Sequence, residues 1–125
     1  MVTMLLSALI LQPAEGTIDG LWANTDASVI IEIAPCGAAR CGTVTWASDK
    51  AKADARKGTS QLVGTALLTG LRQGKDGTWH GRLFVPDQNI RAKAKLVAHG
   101  ASRIRVSGCT LALFCKSQIW SRPDQ

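Results

Sequence analysis

Four cysteines are the residues whose type and spacing most clearly promise chemistry. Cys36 and Cys41 form a C-x4-C pair, and Cys109 and Cys115 form a C-x5-C pair. An even number in close pairs suits oxidation to disulfides in a non-reducing compartment. Three connectivities are open, and the two local bridges are favoured because each pair brackets a tight turn or a short loop. The rival reading is a four-thiolate zinc site, for which C-x2-C knuckles are the usual spacing. His80 and His99 have no Ser, Cys or Asp pattern around them that reads as a catalytic triad, and Asp and Glu are scattered singly. The chain lacks H-E-x-x-H, G-x-S-x-G and P-loop motifs. The expectation is therefore a protein that is not an enzyme and needs no cofactor or metal.

The second group with chemical reach is cationic. The formal net charge is +6, and every Lys and Arg lies from Arg40 onward. Such a balance favours anionic partners. In the segment 90–106, Arg91, Lys93 and Lys95 alternate with Ala92, Ala94 and Leu96, and Arg103 and Arg105 alternate with Ile104 and Val106. Period-two alternation of this kind belongs to a β-strand with one buried face. A hairpin closed by a three-residue loop of His99, Gly100 and Ala101 sets Leu96 opposite Ile104 and Ala94 opposite Val106. A two-residue loop would oppose Leu96 to Arg103 and spoil the buried face. The odd loop also opposes Lys95 to Arg105. Like charges across a pair are unfavourable, so this basic face needs solvent, neighbouring carboxylates or an anionic partner such as an envelope lipid.

The elements that must position these residues are strands. Alternating runs are expected at 20–24, 28–34, 41–47, 65–72, 78–85, 90–98, 102–108 and 117–121, most of them separated by turn residues. The interval 48–64 is rich in Lys, Asp, Ala and Gly, and reads as a loop crossing one end of the sheet with a turn of helix near its start. Eight short strands on tight turns make an up-and-down meander, and closure into a barrel removes its exposed edges. The fold class expected is thus all-β, a small antiparallel barrel of one domain over 15–125. Residues 1–14 are uncharged and contain a short apolar run, as a signal segment would, although no basic residue precedes the run and no Ala-x-Ala site ends it. The protein is expected in the periplasm or outside the cell.

Inward positions of such a barrel hold either a packed core or a ligand. Trp46, Trp79, Leu83, Ala92, Ala94, Leu96, Ile104 and Val106 are the cavity candidates; Ala92 and Ala94 leave space that Trp46, Trp79 or Phe84 would otherwise fill. Trp22 follows Gly20 in the first strand, and Trp120 and Arg122 lie in or just after the last. First and last strands pair when a barrel closes, so a tryptophan plugging one end under a guanidinium is expected to act as a structural lock.

Taken together, Gly20-x-Trp22, Pro35-Cys36, Cys41-Gly42, Trp46, Gly64, Gly70-Leu71, Trp79-x-Gly81-Arg82, Val85-Pro86, Val106-x-Gly108-Cys109 and Cys115-Lys116-Ser117-Gln118-x-Trp120-x-Arg122 resemble a family of small exported bacterial proteins, domain of unknown function number 2147, with a lipocalin-like barrel. Gly20-x-Trp22 is also similar to the opening signature of lipocalins, with Arg122 at the place of their closing arginine. Asn89-Ile90-Arg91 departs from the Gly-Lys-Thr-Tyr-like turn of many relatives, at what would be a pocket rim. The resemblance implies binding of a small hydrophobic or amphipathic molecule, which an anionic head group would suit if the cations stood near the mouth. The alternative is a solid-core envelope module that docks its basic face on anionic lipid or a partner protein. Nucleic acid is not an expected partner, because the basic hairpin has no interleaved aromatics for stacking.

Overall fold

The computed structural model describes residues 17–109 and 115–123. The expected signal segment, 1–14, lies outside the described residues. Eight strands form one closed barrel: β1 (Gly20–Ala23), β2 (Val29–Cys36), β3 (Ala39–Ala47), β4 (Ala66–Gln73), β5 (Trp79–Val85), β6 (Ile90–His99), β7 (Arg103–Cys109) and β8 (Cys115–Ser121). Each strand pairs antiparallel with its sequence neighbours, and β8 returns to β1 at the rung Ala23 to Ser121. Register irregularities at Ile30/Ile31, around Gly42 and between Thr69 and Arg72 add the local twist that lets so short a meander close.

The alternation that announces the strands also sorts their faces. Along β6, Ala92, Ala94 and Leu96 are buried while Arg91, Lys93 and Lys95 are exposed. The β6–β7 register differs from the expected one by two residues. Leu96 faces Val106, Ala98 faces Ile104 and Ala94 faces Gly108. The loop still has three residues, but they are Gly100, Ala101 and Ser102, turning at Gly100 with φ +70°. Parity is unchanged, so the buried face survives. The slip adds a rung, His99 to Arg103, and moves Lys95 opposite Ser107 and Arg105 opposite Val97, so the two cations no longer face each other.

Because the topology is a pure meander, alternate connections gather at opposite ends of the barrel. The N-terminal residues 17–19, the turns 37–38, 74–78 and 100–102, and the C-terminal residues 122–123 share one end, here called the base. The connections 24–28, 48–65 and 86–89 share the other, the mouth. The disulfides divide in the same way: Cys36–Cys41 ties the β2–β3 turn at the base, and Cys109–Cys115 joins β7 to β8 at the mouth. The cysteines thus stand as two local bridges at opposite ends, which replaces the four-thiolate alternative.

The base is packed solid. Ile18, Trp22, Ile33, Leu71, Leu96 and Ile104 are almost fully buried there. Trp22 lies inside and donates its indole N–H to the Ile18 carbonyl at 2.8 Å. The Arg122 guanidinium covers the ring 3.8 Å from its centroid and donates from Nη1 to the carbonyls of Asp19 (3.0 Å) and Leu21 (3.3 Å). Gly20 makes this approach possible, since a Cβ there would lie 2.6 Å from Arg122 Nη1. Burial against the ring draws the Arg122 pKa downward, and Asp19 opposes that shift. Alongside, Arg40 binds Asp19 at 2.7 Å and lies 5.9 Å above the Trp79 ring. The clasp therefore consists of Gly20, Trp22 and Arg122. Trp120 is not part of it.

Candidate ligand-binding cavity

Toward the mouth the interior opens into a cavity of about 500 Å³. Its existence follows from side-chain size along β6 and β7. Leu96 and Ile104 fill the base, whereas Ala94 faces Gly108 and Ala92 follows nearer the mouth. Leu83 leans into the room left at Gly108, where a Cβ would meet its Cδ2 at 2.7 Å. The walls are Val29, Ile31, Leu67, Leu68, Leu83, Ile90, Ala92 and Val106, joined by Phe84, Trp120 and, opposite Val106, Gln118. Polar groups gather at the rim: Asn24, Asp26, Ser28, Ser48, Lys50, Asp54, Asp87, Lys116 and Ser117.

The segment 48–65 crosses this mouth. Ser48 caps a short helix, α1 (Asp49–Asp54), its hydroxyl accepting from the Ala51 N–H at 3.1 Å, and a 3-10 turn (Ala55–Lys57) follows. Ala55 and Leu62 are buried into the barrel and line the cavity, so the crossing segment is its roof. Gly58 sits against the β5–β6 turn; a Cβ there would lie 2.5 Å from the Pro86 carbonyl oxygen and 2.8 Å from Pro86 Cα. The return leg is fixed to β3 by Val44 N–H to Thr65 O and Gly64 N–H to Val44 O.

Rim charges are mixed. Lys50 pairs with Asp54 at 2.8 Å, which raises the pKa of its ammonium group. Asp26 accepts from the Ser28 hydroxyl at 2.7 Å and from its N–H at 3.2 Å, which holds the carboxyl below its ordinary value. Asp26, Asp54 and Asp87 stand against Lys50 and Lys116, so the rim is not cationic.

The structure redistributes the candidates named from sequence. Leu83, Ala92 and Val106 line the cavity, whereas Ala94, Leu96 and Ile104 are buried in packed interior. Trp79 is half-buried beside the base, opposite Leu96. Trp46 is a correction: it is 48% exposed on the outer surface, where the Ile30/Ile31 irregularity pairs it with Ile30. The condition placed on Arg91, Lys93, Lys95, Arg103 and Arg105, that they stand near the mouth, is not met, although they do share one basic face. All five are exposed on the outer wall, on the parity opposite to the cavity-lining Ala92 and Val106, so none supplies the mouth with charge. Sequence reasoning missed Val29, Ile31, Leu67 and Leu68 as cavity wall, and Trp120 in the same role. The signal available was topological: inward residues next to the first, third and fifth connections must share one end.

A closed eight-stranded antiparallel barrel, clasped at one end by tryptophan and arginine and hollow toward the other, has the form of a lipocalin-like barrel. The chain belongs to the bacterial family described as "Uncharacterized protein conserved in bacteria (DUF2147)", whose model matches residues 20–122. No curated protein and no solved structure matches it. The two disulfides suit a compartment outside the reducing cytosol.

Proposed function

We propose that this protein is a non-enzymatic carrier or sensor that holds a small hydrophobic or amphipathic molecule in the mouth half of its barrel, in the periplasm or outside the cell. The observation that carries the reading is the cavity itself. Its volume of about 500 Å³ lies within the range of small-molecule sites, its walls are mainly aliphatic with Phe84 and Trp120, and its polar groups lie mostly at the rim, with Gln118 opposite Val106 the exception. An apolar body would occupy the walls, and the polar end would meet Asp, Ser and Lys side chains at the rim. An uncharged or zwitterionic head group matches that rim better than a bare anion does, since carboxylates outnumber ammonium groups there. The solid-core alternative requires a filled mouth half, and the small residues Ala92 and Gly108 argue against it.

The test is native mass spectrometry of the chain produced by export, so that both disulfides form, followed by extraction of whatever accompanies it. A recurring small adduct on the native chain, absent from an Ala92→Phe variant of the same fold, is the expected result. Wild type and variant each appearing only at the mass of the bare polypeptide would remove the carrier reading.

A further inference from the structure

The outer wall of β5, β6 and β7 is an array of cations with no carboxylate in it. Arg82 stands directly opposite Lys93, and Arg91 opposite Phe84. Lys95 is flanked by His80 and Ser107, Arg105 by Val97 and Ile119, and Arg103 by His99 and Ser121. Strands β4 to β8 contain no Asp or Glu at all. The adjoining acids Asp76 and Asp87 lie in turns at the two ends of the barrel. Among the described residues, the ion pairs Arg40–Asp19 and Lys50–Asp54 involve none of these cations. Of the partners that sequence allowed for this face, neighbouring carboxylates are therefore excluded within the wall. The opposite wall is different: β1 to β3 present Leu21, Glu32 and Trp46, while Arg40 is turned to the base and paired.

The spacing makes the array act as one patch. Adjacent strands are about 4.8 Å apart and successive outward residues about 7 Å apart, both shorter than the screening length of roughly 8 Å at physiological salt. A rung such as Arg82 to Lys93 is self-repulsive in the free protein, and an anionic surface relieves that repulsion. We propose that this wall docks the barrel sideways on an anionic lipid surface, with Arg82, Arg91, Lys93, Lys95, Arg103 and Arg105 reaching the lipid phosphates. A planar lipid surface offers phosphates over an area, which suits cations spread across three strands. Single-stranded nucleic acid asks for open aromatic faces between the cations. Of Phe, Tyr and Trp this wall carries only Phe84, which is already covered by Arg91, 4.2 Å from its centroid. The inference is independent of the cavity and holds whether or not the cavity is occupied.

The experiment is co-sedimentation of the full, disulfide-bonded chain with phosphatidylcholine vesicles containing one-third phosphatidylglycerol, and with pure phosphatidylcholine vesicles. The wild type is expected to bind the anionic vesicles, to be released by added salt, and to ignore the neutral ones. A basic side chain at an anionic surface is worth roughly fivefold in partitioning, so the triple variant Lys93→Gln/Lys95→Gln/Arg105→Gln should lose about a hundredfold. The variant Lys52→Gln/Arg56→Gln/Lys57→Gln, with the same charge change on the mouth-crossing segment, should lose far less. Equal losses in the two variants, no binding by the wild type, or displacement from vesicles by a short DNA duplex at equal phosphate concentration would each overturn the proposal. Should the triple variant fold poorly, the single change Lys93→Gln gives the same decision on a roughly fivefold scale.

Discussion

The two ends of this barrel are built from the same strands and yet do opposite things. At the base, bulky inward residues, a buried tryptophan and an arginine clasp leave no room. At the mouth, Ala92 and the Ala94–Gly108 rung replace the bulk, and a capped helix roofs the space that results. Side-chain size is graded along the axis of this short barrel, so that one end is packed and the other encloses a cavity. Packing at one end holds the fold, so the other can forgo some of it.

This contrast breaks most easily at the base. Trp22→Ala removes a fully buried indole, its hydrogen bond to Ile18 and the platform for Arg122, and should cost about 3–5 kcal/mol in urea denaturation. Leu67→Ala in the cavity wall should cost about 1 kcal/mol, because that side chain is only partly buried and has the cavity on one side. Equal costs would mean that the mouth is as well packed as the base.

A milder change sharpens the role of the roof. Gly58→Ala drives a methyl group into the Pro86 backbone, so the 3-10 turn must lift away from the β5–β6 turn. The expected loss of stability is about 1–2 kcal/mol, accompanied by faster release of an apolar fluorescent probe in stopped-flow displacement. Unchanged release would detach this contact from access to the cavity.

The smallest effect expected is in pH. Asp26 and Asp76 both titrate below the ordinary aspartate value of 3.8 in the folded state, chiefly through hydrogen bonds from Ser28 and Thr78. Their contribution is therefore present above that value and fades as pH falls through it and below. Both groups are fully exposed, so melting curves between neutral pH and pH 5 should coincide, with decline beginning only under stronger acid. A loss of stability already at pH 6 would point to a titrating group other than these.

Much of this was legible in the residues. Period-two alternation placed all eight strands, and the largest departures lie beside cysteines. β2 runs on to Cys36, β3 begins at Ala39 and β8 at Cys115, because the ladders continue to the rungs Cys36 to Ala39 and Cys109 to Cys115. Parity on the β6–β7 hairpin was legible, but the register was not: moving the loop by one residue keeps every side chain on its face while changing every partner. The Gly20, Trp22 and Arg122 clasp could be anticipated because barrel closure brings the chain ends together. The cavity wall was only partly legible. Ala92 signals space, yet whether that space survives depends on how far Leu83 and Trp120 reach from other strands, and alternation does not encode reach. Trp46 misled for a related reason, since an irregular rung set it on the outer surface.

The proposed function requires a hollow mouth half that takes an apolar guest. The direct measurement is a fluorescence titration with the neutral probe N-phenyl-1-naphthylamine, run on the wild type, Ala92→Phe and Lys93→Gln. Adjacent residues 92 and 93 point to opposite sides of one wall, so the pair separates interior from exterior within a single strand. One probe per chain is expected, with an affinity lowered about tenfold or more by Ala92→Phe and unchanged by Lys93→Gln. Binding indifferent to Ala92→Phe, or no binding by the wild type, would contradict it.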